Sequence, residues 1–199
     1  MIVIGLTGGI ATGKTTAANH LAGLGAVIID ADKLAREIVL PGSLALKEIE
    51  TAFGGQVIQE DGFLDRKALG EIIFSDQIQR EHLNNIMIPK IIARAEELIE
   101  HHRRAGISAV VIDAPLLFEV GMNDIVDSVW VVYVPRDAQI HRLMARDGLT
   151  EFQAKERLAA QISIEEKRLL ADNVIDNSSN MAHTFQQIEE LWQQLQHRI

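Results

Sequence analysis

The chain has 199 residues, 47% of them hydrophobic and 24% charged, enough for one globular domain that buries roughly two thirds of its unfolded surface. Its 19 Lys and Arg against 28 Asp and Glu leave a formal charge of −9, a field that repels a phosphate backbone and argues against nucleic-acid partners. Zero cysteines exclude disulfides and thiolate chemistry and suit a reducing compartment.

The first segment, Met1 to Leu6, is apolar, but it has neither the basic flank nor the length of a signal peptide. No run approaches the roughly 18 to 20 apolar residues of a membrane span. A cytoplasmic protein with no membrane partner is therefore expected. Five short runs rich in Val and Ile, namely Ile2 to Leu6, Ala26 to Ile29, Ala109 to Ile112, Val129 to Val134 and Val174-Ile175, lack two-residue alternation. Strands buried on both faces of a parallel sheet read this way. Helix-length segments lie between them, so the fold class is α/β with a five-stranded parallel sheet and flanking helices.

After the first strand, Gly8-Gly9-Ile10-Ala11-Thr12-Gly13-Lys14-Thr15 matches G-x-x-x-x-G-K-[ST] and opens a helix running to about Leu24. About 0.002 such strings are expected by chance from this composition, so nucleoside triphosphate binding is the reading. Glycines let successive backbone N–H groups, here from Ala11 through Thr16, point at phosphate oxygens beside the positive end of the helix. Lys14 is expected to bridge the β- and γ-phosphates and Thr15 to offer its hydroxyl to Mg²⁺.

The second strand, expected beside the first, ends in Ile28-Ile29-Asp30-Ala31-Asp32, at the rim where ligands bind in open α/β sheets. Asp32 is a candidate to orient an attacking hydroxyl, the alternative being that it only caps a helix starting at Lys33. A long excursion over 33–105 reads as a helical insertion. Within it, Asp61-Gly62 suggests a small hairpin between Val57-Ile58 and Phe63-Leu64, and a helix is expected from Pro89 to about Arg104, stopped by Gly106. Ile112-Asp113 closes the third strand in the form of a Walker-B carboxylate, a candidate Mg²⁺ ligand, with an ordinary strand-end Asp as the alternative.

A second excursion, 137–172, contains a helix ended by Gly148 and a capping box at Thr150 to Gln153. Arg142 and Arg146 share a helical face without an acidic residue at three or four positions' distance. They read as lid arginines awaiting an anion, or else as a solvated basic face. The 7 histidines have no metal-ligand spacing. The tail from Met181 to Ile199 reads as an amphipathic helix with Ile188, Leu191, Trp192 and Leu195 inward, Trp192 as core rather than as a base-stacking platform.

D-x-x-G and [NT]-K-x-D are absent, which excludes the regulatory GTPases. One insertion for the acceptor and one for a lid is the layout of small-molecule kinases. The whole is then one P-loop kinase domain of the nucleotide-kinase type: core 1–32, 106–136 and 173–199, acceptor-binding insertion 33–105, lid 137–172. Rival readings are a nucleoside or nucleoside-monophosphate kinase and a non-catalytic nucleotide-switched binding module.

Five strings carry a more specific resemblance: Gly5 to Ile10, Ile29-Asp30-Ala31-Asp32, Pro115-Leu116-Leu117-Phe118-Glu119, Arg142 to Gly148, and Ala171 to Asn177. In this order, over about residues 2 to 179, the chain resembles the dephospho-CoA kinases. The resemblance implies transfer of the ATP γ-phosphoryl group to the ribose 3′-hydroxyl of dephospho-CoA, with Lys14, Asp32, Arg142 and Arg146 as the catalytic set. A monomer or weak homo-oligomer is expected. Ala11 and Thr12 stand where Gly and Ser are common in that family, a departure expected to matter little. Ile88 replaces a usual His, and Ser179 a usual Gly in a turn after the last strand.

Overall fold

The structure, a computed structural model, describes residues 1–74 and 76–196; the expected end of the tail helix at Ile199 lies outside the described residues. Two compact units emerge, Met1–Ile29 together with Ile99–Ile199, and Asp30–Leu98.

The first unit is built on a five-stranded parallel sheet of β1 (Ile2–Gly8), β2 (Val27–Asp30), β3 (Ala109–Asp113), β4 (Ser128–Tyr133) and β5 (Asn173–Asp176), in the order β2-β3-β1-β4-β5. These are the five apolar runs of the sequence, with ends shifted by one or two residues. Leu6 lies opposite Asp113 in β3, and Gly8 opposite Val132 in β4. The strand order reverses beside β1, and at such a switch point the loops leaving neighbouring strands diverge and open a crevice. Helices α1 (Lys14–Gly23) and α9 (Met181–Gln196) cover one face. Their Ala17, Ala18, Leu21, Ile188, Trp192 and Leu195 pack on Ile4, Leu6, Val111, Trp130 and Ile175. Each fully buried aliphatic side chain here contributes roughly 1.5 to 3 kcal/mol. Trp192 is core, as its spacing suggested. His20 of α1 stacks on Phe185 at 4.0 Å and bonds Glu189 at 3.0 Å, fastening the two helices together.

The second excursion folds as α6 (Arg136–Asp147), α7 (Glu151–Ala159) and α8 (Ile164–Leu170). Gly148 ends α6 in the left-handed conformation, and the capping box of Thr150 and Gln153 opens α7.

The second unit holds α2 (Ala31–Glu37), α3 (Leu44–Phe53), α4 (Arg66–Phe74) and most of α5 (Gln77–Arg104). Its own core gathers Val39, Leu46, Ile49, Phe53, Val57, Leu64, Leu69 and Ile86. Two expectations are corrected here. The hairpin around Asp61-Gly62 is reduced to one antiparallel bridge, Ile58 with Leu64. The helix expected to begin at Pro89 begins at Gln77 instead, where Asp76 Oδ1 accepts from the N–H groups of Ile78 and Gln79 at 2.9 and 3.2 Å. Pro89 removes one helical donor, yet the Lys90 ammonium donates to the neighbouring Ile86 carbonyl at 3.2 Å, and the helix runs through. Ile88 therefore sits half-buried inside a helix.

Candidate active site

The loop after β1 is shaped by local backbone demands and then braced from outside. Gly13 has φ 92°, and a Cβ there would collide with the Asn177 amide, so only glycine fits. The Thr12 hydroxyl donates to the Gly9 carbonyl at 2.9 Å, holding the turn closed. Asn177, just past β5, donates to the Thr12 carbonyl at 2.7 Å while its own side-chain oxygen accepts from Thr184 at 2.9 Å. Gln139, in the first turn of α6 and 1% exposed, donates to the Ile10 carbonyl at 2.9 Å.

Ala11 is the one non-glycine with positive φ among the described residues, at 62°. The left-handed conformation costs an L-residue about 1 to 2 kcal/mol. The loop forms with alanine here, but against strain that glycine would not carry. Ser179 has no such strain, because it is outside the positive-φ set.

Helix α1 starts at Lys14 with no side-chain cap and no acidic residue in its first turn. Its leading N–H groups and positive dipole end are left for an anion. Across the switch point, the Lys14 ammonium donates to Asp113 Oδ1, both side chains being largely buried. The structure thus brings together the ends of β1–α1 and β3, and it corrects the expectation that β2 adjoins the first strand: β3 lies between them, so the end of β2 stands one strand further out. Thr15 lies exposed one residue further along α1.

Asp32 stands in the first turn of α2, exposed, and is not the cap. Asp30 is, its Oδ1 accepting from the Lys33 N–H at 3.0 Å. The capping alternative for Asp32 is therefore corrected: the helix begins at Ala31, two residues earlier than that reading needs.

The two α6 arginines have separate fates. Arg142 donates to the Asn177 carbonyl at 2.9 Å, next to the brace on Thr12. Arg146, one turn on, bonds both oxygens of Asp147 at 2.7 and 3.1 Å, and Asp147 also accepts from Arg157 of α7 at 2.8 Å. The picture of two uncompensated charges is corrected for Arg146, whose adjacent carboxylate escaped a search at helical spacing, while Arg142 meets a backbone carbonyl. The hydrogen bond from Arg146 holds the Asp147 carboxyl below its ordinary pKa, with Arg157 helping, and the same bond raises Arg146. Ile10 and Ala11 pack against the small apolar cluster of Ile140, Leu143 and Ala154, so this excursion and the phosphate loop share a core.

The sequence reading assigned no role to Gln139, Asn177 or Thr184. Asn177 lies in a string that carried the family resemblance; for Gln139 only its near-complete burial, a tertiary property, sets it apart.

The profile of the dephospho-CoA kinase family matches residues 2–183. The chain belongs to the dephospho-CoA kinase family. The dephospho-CoA kinase of Geobacter sulfurreducens is 50% identical over 192 residues, 96% of this chain and 98% of that one. That of Moorella thermoacetica is 47% identical over 200 residues, covering 100% and 94%. Among solved structures, the dephospho-CoA kinase from Campylobacter jejuni superposes with a TM-score of 0.75 at 34% identity, over 97% of this chain and 96% of that one. Shikimate kinase from Acinetobacter baumannii reaches 0.50 at 17% identity, over 100% and 94%, and speaks for the P-loop kinase fold alone. Dephospho-CoA kinases and shikimate kinases share this architecture while their acceptors differ, so the fold leaves the choice of acceptor to the residues around the site.

Proposed function

We propose that this protein transfers the γ-phosphoryl group of ATP to the ribose 3′-hydroxyl of dephospho-CoA, giving CoA and ADP, the last step of CoA synthesis. Membership of the family over nearly the whole chain carries this reading. The Lys14–Asp113 pair at the switch point supports it, because charged groups there meet the phosphates.

In this mechanism the N–H groups from Ala11 to Thr16 cradle the phosphates. Lys14 leaves Asp113 for the β- and γ-oxygens and stabilises charge that shifts as the bond to the leaving ADP breaks. Asp32 accepts the proton of the ribose hydroxyl and aims it in line with the γ-phosphorus. Its freedom from capping duty suits it to this task. Arg142 and Arg146, on the lid 137–172, close over the triphosphate. The bond from buried Gln139 to Ile10 argues that the first turn of α6 stays fixed and that closure is a movement of the later α6 turns with α7.

The hydroxyl of Thr15 and the carboxylate of Asp113 are hard oxygen donors of the kind Mg²⁺ takes. They are the residues that would hold the ion, and bound there it would neutralise charge between the β- and γ-phosphates.

The insertion 33–105 is assigned to the acceptor. It carries an open groove of about 670 Å³, lined in part by Leu44, Lys47, His82 and Ile86, where an apolar wall meets a cation. No described helix is long and apolar enough to cross a membrane. A cytoplasmic monomer or weak homo-oligomer is the expected working form.

The deciding experiment is a coupled assay of ADP release with a panel of acceptors: dephospho-CoA, nucleosides and nucleoside monophosphates. Dephospho-CoA should stimulate release far above the others. Preference for a nucleoside, or no stimulation by any acceptor, would overturn the assignment.

A further inference from the structure

A lysine with a completely buried side chain sits close to this site, and no step of the proposed mechanism uses it. Lys167 of α8 has a side-chain exposure of 0%. Desolvating an ammonium costs several kcal/mol unless its donors are taken up, so the partners of Lys167 define what holds it there. Its Nζ donates to the Pro115 carbonyl at 2.6 Å and meets the Glu119 carboxylate at 2.8 Å. Glu119 in turn accepts from the Ile162 N–H at 3.0 Å, between α7 and α8.

The Pro115 carbonyl has a second donor. Thr7 Oγ1, fully buried at the end of β1, reaches it at 3.2 Å. One carbonyl oxygen thus joins three segments: the end of strand β1 that leads into the phosphate loop, the segment two residues beyond Asp113, and α8. Burial pushes the Lys167 ammonium below its ordinary pKa, Glu119 draws it back up, and the positive charge of Lys14 depresses it further. Lys167 is therefore within electrostatic range of the loop lysine.

We propose that Lys167 is a positioning residue for phosphoryl transfer: through the Pro115 carbonyl that it shares with Thr7, it fixes the β1 and β3 ends so that Lys14 and Asp113 face one site. An apolar side chain would fill the same volume but would leave Pro115 with a single, longer hydrogen bond. The segment carrying Asp113 would then be free to shift relative to the loop carrying Lys14.

This inference rests on the proposed ATP-dependent reaction, and its test is read on ATP affinity so that the two stand or fall separately. Wild type, Lys167→Met, Lys167→Met with Glu119→Gln, and Thr7→Val are compared by ATP calorimetry, thermal melting and steady-state kinetics with dephospho-CoA. The single methionine variant strands the Glu119 charge and should lose several degrees of Tm. The double variant removes both charges, keeps an acceptor for Ile162, and should recover most of that loss. Positioning predicts that ATP Kd stays raised at least about fivefold in the double variant, and kcat lowered about tenfold or more. Thr7→Val, near in shape and leaving the ion pair intact, should raise ATP Kd at unchanged Tm; it carries the test alone should the methionine variants fail to fold. ATP Kd at the wild-type value in the folded double variant, or in Thr7→Val, would overturn the role. Wild-type protein that binds ATP but ignores dephospho-CoA would instead count against the acceptor, while the ATP affinities still decide the case of Lys167.

Discussion

Asn177 donates its side-chain amide to the carbonyl of Thr12 at 2.7 Å across 165 residues of sequence, so the phosphate loop is held by the segment that follows the edge strand β5. Asn177→Asp exchanges a donor for a carboxylate facing a carbonyl, and adds negative charge where the proposed mechanism places the triphosphate. Calorimetry should find ATP affinity down by about tenfold or more, with a loss of about 1 to 3 kcal/mol in stability. Wild-type affinity in the variant would show that the loop holds its shape without the brace.

Lys14→Ala removes the cation proposed to follow the migrating phosphoryl group. Losses for such preorganised groups run to about a hundredfold or more in kcat, and steady-state kinetics with dephospho-CoA will read it. A near-normal kcat would sink the assignment of Lys14.

Under the proposed mechanism, neighbouring aspartates divide catalysis from capping. Asp30 accepts the Lys33 N–H and Asp32 does not. Asp32→Asn should therefore melt like the wild type and bind ATP normally while losing about 10² to 10⁴ in kcat. Asp30→Ala should lose about 1 kcal/mol of stability through the cap. Equal kcat for Asp32→Asn and the parent would remove Asp32 from the mechanism.

Arg142 and Arg146 are expected to differ in degree. Both alanine variants should slow turnover. Arg142→Ala should also weaken ATP binding, since its guanidinium bonds the carbonyl of the residue that braces Thr12. The Arg146–Asp147–Arg157 cluster adds a pH dependence. Asp147 is held below its ordinary pKa, so its contribution to joining α6 and α7 is complete above about pH 4 and is lost as pH falls through the depressed value. Amide exchange in α7 should accelerate there in wild type, and Asp147→Asn should already exchange quickly at neutral pH.

Ala11→Gly relieves the φ of 62°. Thermal melting should register a gain of up to about 1 kcal/mol, part of the strain relief being offset by the freer unfolded glycine. A lower Tm would indicate that the methyl group's packing on Ile140 and Leu143 outweighs the strain.

The sequence by itself determined the parts governed by local physics. Five apolar runs became the five strands because burial on both faces selects Val and Ile without alternation. The string Gly8 to Thr15 became an uncapped helix start because glycine spacing and the missing acidic residue are written there directly. Thr150 and Gln153 capped α7 for the same reason. What the sequence could not settle were contacts between distant segments and choices among near-equal local signals. Asp30 and Asp32 are both competent caps, and only where α2 starts chose between them. Pro89 reads as a helix start until Asp76 supplies an earlier one. Tertiary packing also decided the braces of the loop. Asn177 and Gln139 are ordinary polar residues in the chain, and they matter because the sheet order places β5 and α6 against the loop after β1. Their bonds to carbonyls 165 and 129 residues away leave no periodicity to read, since a long-range hydrogen bond imposes nothing on the residues between.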